Sequence, residues 1–250
     1  MEPEAYRQMA ANEETHWWFC GRRATVTKAI EHHILPLHGP NSRLSILEVG
    51  CGVGGNLALL STFGNVEAIE PDTWAVETAR EKALATVHQG SLPEAIPNDL
   101  GTGYDLIALL DVLEHIKDAP AALQTLAPRL SPKGRVLVTV PAYPWMFGDH
   151  DRLHHHHRRY TKKSLRIDLT SGGLEPLFIG HFNTILLPPA ALIRALQRWA
   201  GLFKGNDEDR GSNEVLNGIF TNLFSAEARV SAKHALPMGL SILAVAQAST

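Results

Sequence analysis

A mostly parallel α/β sheet with helices on both faces is the fold this sequence predicts, and three observations predict it. Short apolar runs recur at Leu44–Val49, Val66–Glu70, Tyr104–Leu110 and Arg135–Pro141. Helix-like stretches alternate with these runs, the signature of strand–crossover–strand units. A glycine-rich turn carrying Gly50, Gly52, Gly54 and Gly55 joins the first run to the helix after it. In such sheets ligands sit outside the carboxyl ends of the strands.

The whole chain sets bounds on function. Its 250 residues suffice for one sizeable domain. A hydrophobic content of 44% with 20% charged residues fits an ordinary globule. A net charge of −3 gives no general reason to expect nucleic acid as a partner. Cys20 and Cys51 make neither a disulfide framework nor a zinc site, which agrees with a reducing, cytoplasmic setting. The N-terminus lacks the apolar core of a signal peptide, and no run approaches a spanning helix.

In chain order, Pro3 to Ala11 reads as a short polar helix. A second helix is expected from Arg22 to about Leu35, ended by Pro36. Between them, His16, Trp17, Trp18 and Phe19 form an aromatic run that either plugs these helices onto the core or closes over a ligand. Leu44–Val49 suits a strand buried on both faces. After the turn, Asn56–Phe63 reads as a helix closed by Gly64, and Val66–Glu70 as the second strand. Asp72 or Thr73 caps a helix reaching Ala85. Thr86 to Glu94 holds the third strand and its loop. Tyr104–Leu110 is the fourth strand, Ala119–Leu130 a helix and Arg135–Pro141 the fifth strand. Pro141 to Tyr160 reads as a long loop, followed by a helix over Thr161–Ser171 that Gly172 and Gly173 close. A sixth strand lies within Leu174–Leu187. Then come a helix from Ala190 to about Phe203, striped by Leu192, Ile193, Leu196 and Trp199, and a charged loop over Gly205–Ser212. A second amphipathic helix runs from Glu214 to about His234, and Met238–Ala246 is the last strand.

Two ligand classes fit the turn. Gly50-x-Gly52-x-x-Gly55, with Glu70 about 20 residues on, matches the dinucleotide fingerprint. Glu48 argues against it, because its carboxylate would repel a diphosphate by about 4 kcal/mol at about 4 Å and an effective dielectric near 20. The same charge attracts a ligand carrying an ammonium and a sulfonium. An ordinary tight turn explains neither Glu48 nor Glu70.

Glu48-x-Gly50-x-Gly52-x-Gly54 also resembles the first motif of the class I S-adenosylmethionine-dependent methyltransferases. Two further segments resemble one branch of that family: His16-Trp-Trp-Phe-x-x-Arg22-Arg23, and His150-Asp151-x4-His156-x-Arg158-Arg159-Tyr160. The resemblance implies a Rossmann-like, seven-stranded sheet with the last strand antiparallel. It implies a single domain, with an N-terminal helical lid over 1–40, a cofactor-binding core over 41–186, a helical insertion over 187–236 and the last strand over 237–250. It implies S-adenosylmethionine as cofactor, with Glu48, Gly50, Gly52, Gly54, Glu70, Pro71 and Asp111 around it and His16, Trp17 or Arg22 over it. Many relatives carry an aspartate where this chain has Ser91, which gives adenine recognition to Ser91 and the Leu92 backbone. Calorimetry with S-adenosylhomocysteine against NAD separates the two ligand classes. A methyltransferase-like binding protein without turnover is a third reading, which only an acceptor assay separates.

The acceptor side is expected in the stretch after the fifth strand. An imidazole of His150 or His156 can take a proton near neutrality. Arg158 or Arg159 can grip an acidic group and Tyr160 can position it, or the whole unit braces the loop. The run His154–His157 is a poor metal cage without other ligands, because adjacent histidines point in different directions. No metal is expected. The acceptor is expected to be a small molecule or lipid-linked, with the helical insertion forming a cap, a dimer face or a membrane-surface contact.

Overall fold

The computed structural model describes residues 3–39, 41–192 and 214–249. Its strands are β1 (Leu44–Val49), β2 (Gly64–Glu70), β3 (Thr86–Gln89), β4 (Tyr104–Leu110), β5 (Leu130–Pro141), β6 (Leu174–Phe182) and β7 (Ser241–Ala248). They form one sheet in the order β3-β2-β1-β4-β5-β7-β6. The first five are parallel to one another, and β7 runs antiparallel between β5 and β6. This is the Rossmann-like seven-stranded arrangement the motifs imply. The order reverses beside β1, between β1 and β4, which places the ligand crevice at the carboxyl ends of those strands.

Strand alternation divides the core in two. Leu47 and Val49 of β1, with Ile107 and Leu109 of β4, pack on one side against α5 (Ala119–Leu126) and α7 (Lys162–Ser171). Leu44 and Ile46, with Leu106 and Ala108, pack on the other against α2 (Trp17–His33), α3 (Leu57–Ser61), α4 (Thr73–Glu81) and α8 (Glu214–Ser231). Glu48 has the parity of Leu44 and Ile46, so it points toward α2 and α3.

The N-terminal helices wrap the second side. In α1 (Pro3–Asn12), Tyr6 is buried against Val53 and Ala75, next to the glycine-rich turn. Trp17 packs edge-on to Phe220, its ring centroid 5.7 Å away, and Trp18 packs on Phe224 at the same distance. Phe224 in turn stacks on Phe182 of β6. Gly21 lets α8 approach this closely, since a Cβ there would collide with the Phe224 ring. The aromatic run is therefore anchored in the core on one flank.

Several boundaries differ from expectation. Helix α2 begins at Trp17, five residues before Arg22, because the His16 imidazole accepts a bond from the Trp18 N–H at 3.3 Å and caps it. Gly64 opens β2 rather than closing α3; a Cβ there would meet the Leu44 carbonyl across the strand pair. Helix α4 stops at Glu81, and Ala83 follows at φ 53, a left-handed residue that ends it. A short helix, α6 (Asp149–Leu153), stands in the expected loop after β5. Residues 190–192 are helical as expected, with the helix already begun at 187, but Ile193, Arg194, Leu196, Arg198, Trp199 and the Gly205–Ser212 loop lie outside the described residues.

Candidate active site

A cavity of about 870 Å³ opens at the carboxyl ends of the parallel strands. Its floor is the glycine-rich turn. Gly50 and Cys51 both donate backbone N–H bonds to the Ile69 carbonyl, at 2.8 and 3.2 Å, which ties the turn to the end of β2. Gly50 stands at φ 68 and Gly52 at φ 56, and a Cβ on Gly50 would lie 2.8 Å from a Val112 methyl. Gly54, at φ 89, packs toward Leu57 and Lys82 and is not part of the cavity wall.

Glu70 ends β2 and faces this floor. One oxygen accepts from the Gly52 N–H at 2.9 Å; the other accepts from the Tyr6 hydroxyl at 2.8 Å and the Asp72 N–H at 3.2 Å. Burial raises its pKa despite these bonds. Pro71, Ser91 and Leu92 continue the wall beyond it. Ser91 is fixed by paired backbone bonds with Ala95, each 2.9 Å.

Glu48 does not line the cavity. Its side chain is fully buried, accepts from Asn56 Nδ2 at 2.8 Å, and leaves Oε2 without a hydrogen-bond partner. Burial pushes its pKa up to about 7 against the Asn56 bond and the Arg22 charge. Expected beside the ligand, it instead holds Asn56, which does line the cavity. Pattern reasoning located this carboxylate but not its face of the sheet.

Above the turn, Arg22 reaches from α2 to the end of β4. Its guanidinium meets Asp111 Oδ2 at 2.6 Å and spans to the Leu110 carbonyl and Asn56, both at 3.4 Å. Asp111 stands at φ 60 and accepts from the Thr139 hydroxyl at 2.9 Å through its other oxygen. His16, Trp17 and Arg22 all line the cavity, with Tyr6 and Glu13 from the first helix and its end. Tyr6, Glu13 and Asn56 were not singled out from sequence. Tyr6 and Glu13 bond to partners far along the chain, Glu70 and Lys82, and local spacing carries no trace of that; Asn56 pairs with Glu48 across the glycine-rich turn.

The end of the cavity expected to receive the acceptor is built where two segments cross. The Tyr160 N–H donates to the Pro141 carbonyl at 2.9 Å, and the His157 N–H to the Glu114 carbonyl at 2.8 Å, which pins the histidine run beside the loop after β4. Asp151, fully buried, accepts from His156 Nδ1 at 2.9 Å, Arg159 Nε at 2.7 Å and the Gly148 N–H at 2.8 Å. Burial alone would raise its pKa, but the His156 and Arg159 bonds outweigh it and hold the carboxyl below the usual range. The rings of His115 and His156 meet edge to face with centroids 4.5 Å apart. Burial, aided by His156 and His154, lowers the His115 pKa to about 3, so this ring is neutral near pH 7. Glu114 is buried beside them with Oε2 unpartnered, and burial and the Asp111 charge raise its pKa well above the carboxylate range.

Not all expected acceptor residues converge here. Arg158 donates to the Ile116 and Lys117 carbonyls, and the buried Tyr160 donates to Asp168 at 3.0 Å; neither lines the cavity. Their polar groups brace the segment, so they are not available to grip or position an acceptor. Arg159 does line the cavity, with Nε committed to Asp151. His150 lies in α6, but its side chain is outside the described residues.

Residues 22–203 match the family model described as "Methyltransferase domain". The chain belongs to this methyltransferase family. Among curated proteins it resembles the ubiquinone biosynthesis O-methyltransferase of Rickettsia bellii, 32% identical over 103 residues, covering 39% of this chain and 42% of that protein. The enzyme of the same name from Idiomarina loihiensis is 26% identical over 169 residues, 60% of this chain and 68% of that one. The match thus spans about two fifths of the first of these relatives. The fold of this methyltransferase resembles the plantazolicin methyltransferase BpumL, solved with a triazolic desmethylPZN analog and SAH, with a TM-score of 0.62 at 16% identity over 100% of this chain and 92% of that one. It also resembles the putative methyltransferase solved with the Haloferax volcanii Trm112 activator, with a TM-score of 0.60 at 15% identity over 99% and 95% of the two chains.

Proposed function

We propose that this methyltransferase uses S-adenosylmethionine to methylate an apolar, hydroxyl-bearing small molecule, free or lipid-linked. The observation that carries the cofactor reading is Glu70 beside the Gly50–Gly52 turn, facing the cavity at the end of β2. A carboxylate there accepts both hydroxyls of a ribose. Pro71, Ser91 and Leu92 supply an adjoining wall for the adenine, and Asp111 lines the cavity at the end of β4, where its carboxylate can accept from an ammonium. These residues fit the cofactor; Glu48 serves it through Asn56.

The bound cofactor supplies an activated methyl and its own leaving group, so the protein has to position and desolvate the acceptor and deal with its proton. Trp17, Phe19 and Phe220 in the wall exclude water and favour an apolar body. Arg22 and Thr139 fix the Asp111 carboxylate. The Asp151–His156 pair, aligned by its hydrogen bond, stands at the end of the cavity where the acceptor's proton is handled, by the imidazole itself or by an ion that it holds. The names of the curated relatives support transfer to oxygen. No described helix is long and apolar enough to cross a membrane, so contact with a lipid-linked acceptor would come at a surface.

The test compares small-molecule and lipid extracts incubated with methyl-labelled cofactor, with and without purified protein. A new labelled species that appears only with protein, and carries the label on oxygen, is expected. Label found only on protein or nucleic acid would contradict the proposal.

A further inference from the structure

We propose that Glu114, His115 and His156 form a binding site for one divalent transition-metal ion, zinc being the best match to the donor set. The proposal rests on the placement of the acceptor end given above and goes beyond it, because metal binding does not depend on which acceptor is used.

One ligand atom from each of these three residues lies within 4.8 Å of the other two. They come from separate stretches, Glu114 and His115 from the loop after β4 and His156 from the histidine run. The run alone cannot surround an ion, since neighbouring side chains diverge. The crossing supplies the missing ligands from a second direction. Two imidazoles and one carboxylate are a borderline set suited to zinc, and zinc sites that act on small molecules keep three protein ligands and an open fourth position. A tetrahedral ion with bonds of about 2.1 Å needs ligands about 3.4 Å apart, so the three groups, now within 4.8 Å of one another, can close on an ion with small side-chain movements.

Two independent features point the same way. Glu114 is 1% exposed, and its Oε2 has no hydrogen-bond partner although it sits in a cavity wall. A buried carboxylate oxygen without a partner is costly unless something binds it. The second feature lies behind the histidines. His156 Nδ1 bonds to the Asp151 carboxylate, and the His115 ring bonds to the His154 backbone. Histidines that bind metal characteristically direct the other ring nitrogen to a carboxylate or a backbone carbonyl. Asp151 is itself fixed by Arg159 and Gly148, so it sets the ring rather than following it. The open position faces the cavity, where it can take an oxygen from water or from the acceptor.

The experiment is calorimetric titration of the full, chelator-treated protein with zinc chloride, checked by elemental analysis after dialysis. One zinc per chain is expected. Glu114→Gln and His115→Ala should each lower affinity at least tenfold, and Asp151→Asn 10- to 100-fold through the His156 ring. The first two lie outside the histidine run, so zinc held by the run alone would survive them. Unchanged zinc affinity in both, or no zinc bound by the wild type, would overturn the site. S-adenosylhomocysteine is titrated into the same samples to confirm that each variant is folded. Cofactor binding without zinc binding would sink the metal site and leave the methyltransferase reading standing, whereas zinc binding without cofactor binding would do the reverse.

Discussion

Single carboxylates set the chemistry of this site, and they differ in what surrounds them. Glu70 faces the cavity, so removing it should weaken S-adenosylhomocysteine binding by about 1.5–3 kcal/mol, the range for hydrogen bonds to a charged group. Calorimetry on Glu70→Ala with an unchanged far-ultraviolet spectrum checks this, and wild-type affinity would remove Glu70 from the ribose site. Tyr6 occupies one oxygen of Glu70. Tyr6→Phe should therefore tighten the same ligand by about 0.5–1.5 kcal/mol, because the competing bond is gone while the ring still packs. Glu48 predicts a pH effect instead. Its carboxyl is raised from 4.5 to about 7 in the folded state, so the native protein holds the proton more tightly than the unfolded chain. Stability from this group is full below pH 4.5 and is lost as pH rises toward about 7. Urea midpoints measured across that interval should fall less steeply in Glu48→Gln than in the wild type. Sequence placed Glu48 and Glu70 correctly at strand ends. It could not say that β1 turns Glu48 toward the helices, since a buried run without polar alternation leaves its two faces indistinguishable.

Elements were legible where their signal is local. The apolar runs of β1, β2 and β4 mark themselves, and α7 was placed to within one residue, with Thr161 capping it rather than opening it. Helix α6 did not, because five residues of mostly charged character show no apolar period. The start of α2 was hidden because His16 is an uncommon cap, and its hydrogen bond is visible only in three dimensions. The packing of α2 on α8 joins positions about 200 residues apart, beyond any spacing rule. It predicts that Gly21→Ala, forcing a methyl into the Phe224 ring, will cost about 1–3 kcal/mol in equilibrium unfolding. A variant as stable as wild type would mean that α8 does not press on α2 there. The crossing of the histidine run over Glu114 is equally non-local, and explains why Arg158 and Tyr160 read as acceptor groups from their motif yet brace the loop instead.

At the scale of the molecule, the sheet order, the glycine-rich turn and the two carboxylate ends of β2 and β4 converge on one cavity, with α1 and α2 closing over it. That cavity should accept an adenosyl ligand with a zwitterionic amino-acid tail and refuse a dinucleotide. Parallel calorimetric titrations of the wild-type protein with S-adenosylhomocysteine and with NAD test this most directly. One molecule of S-adenosylhomocysteine bound per chain, with no heat from NAD, is the predicted result. Saturable NAD binding in the absence of any S-adenosylhomocysteine binding would contradict it.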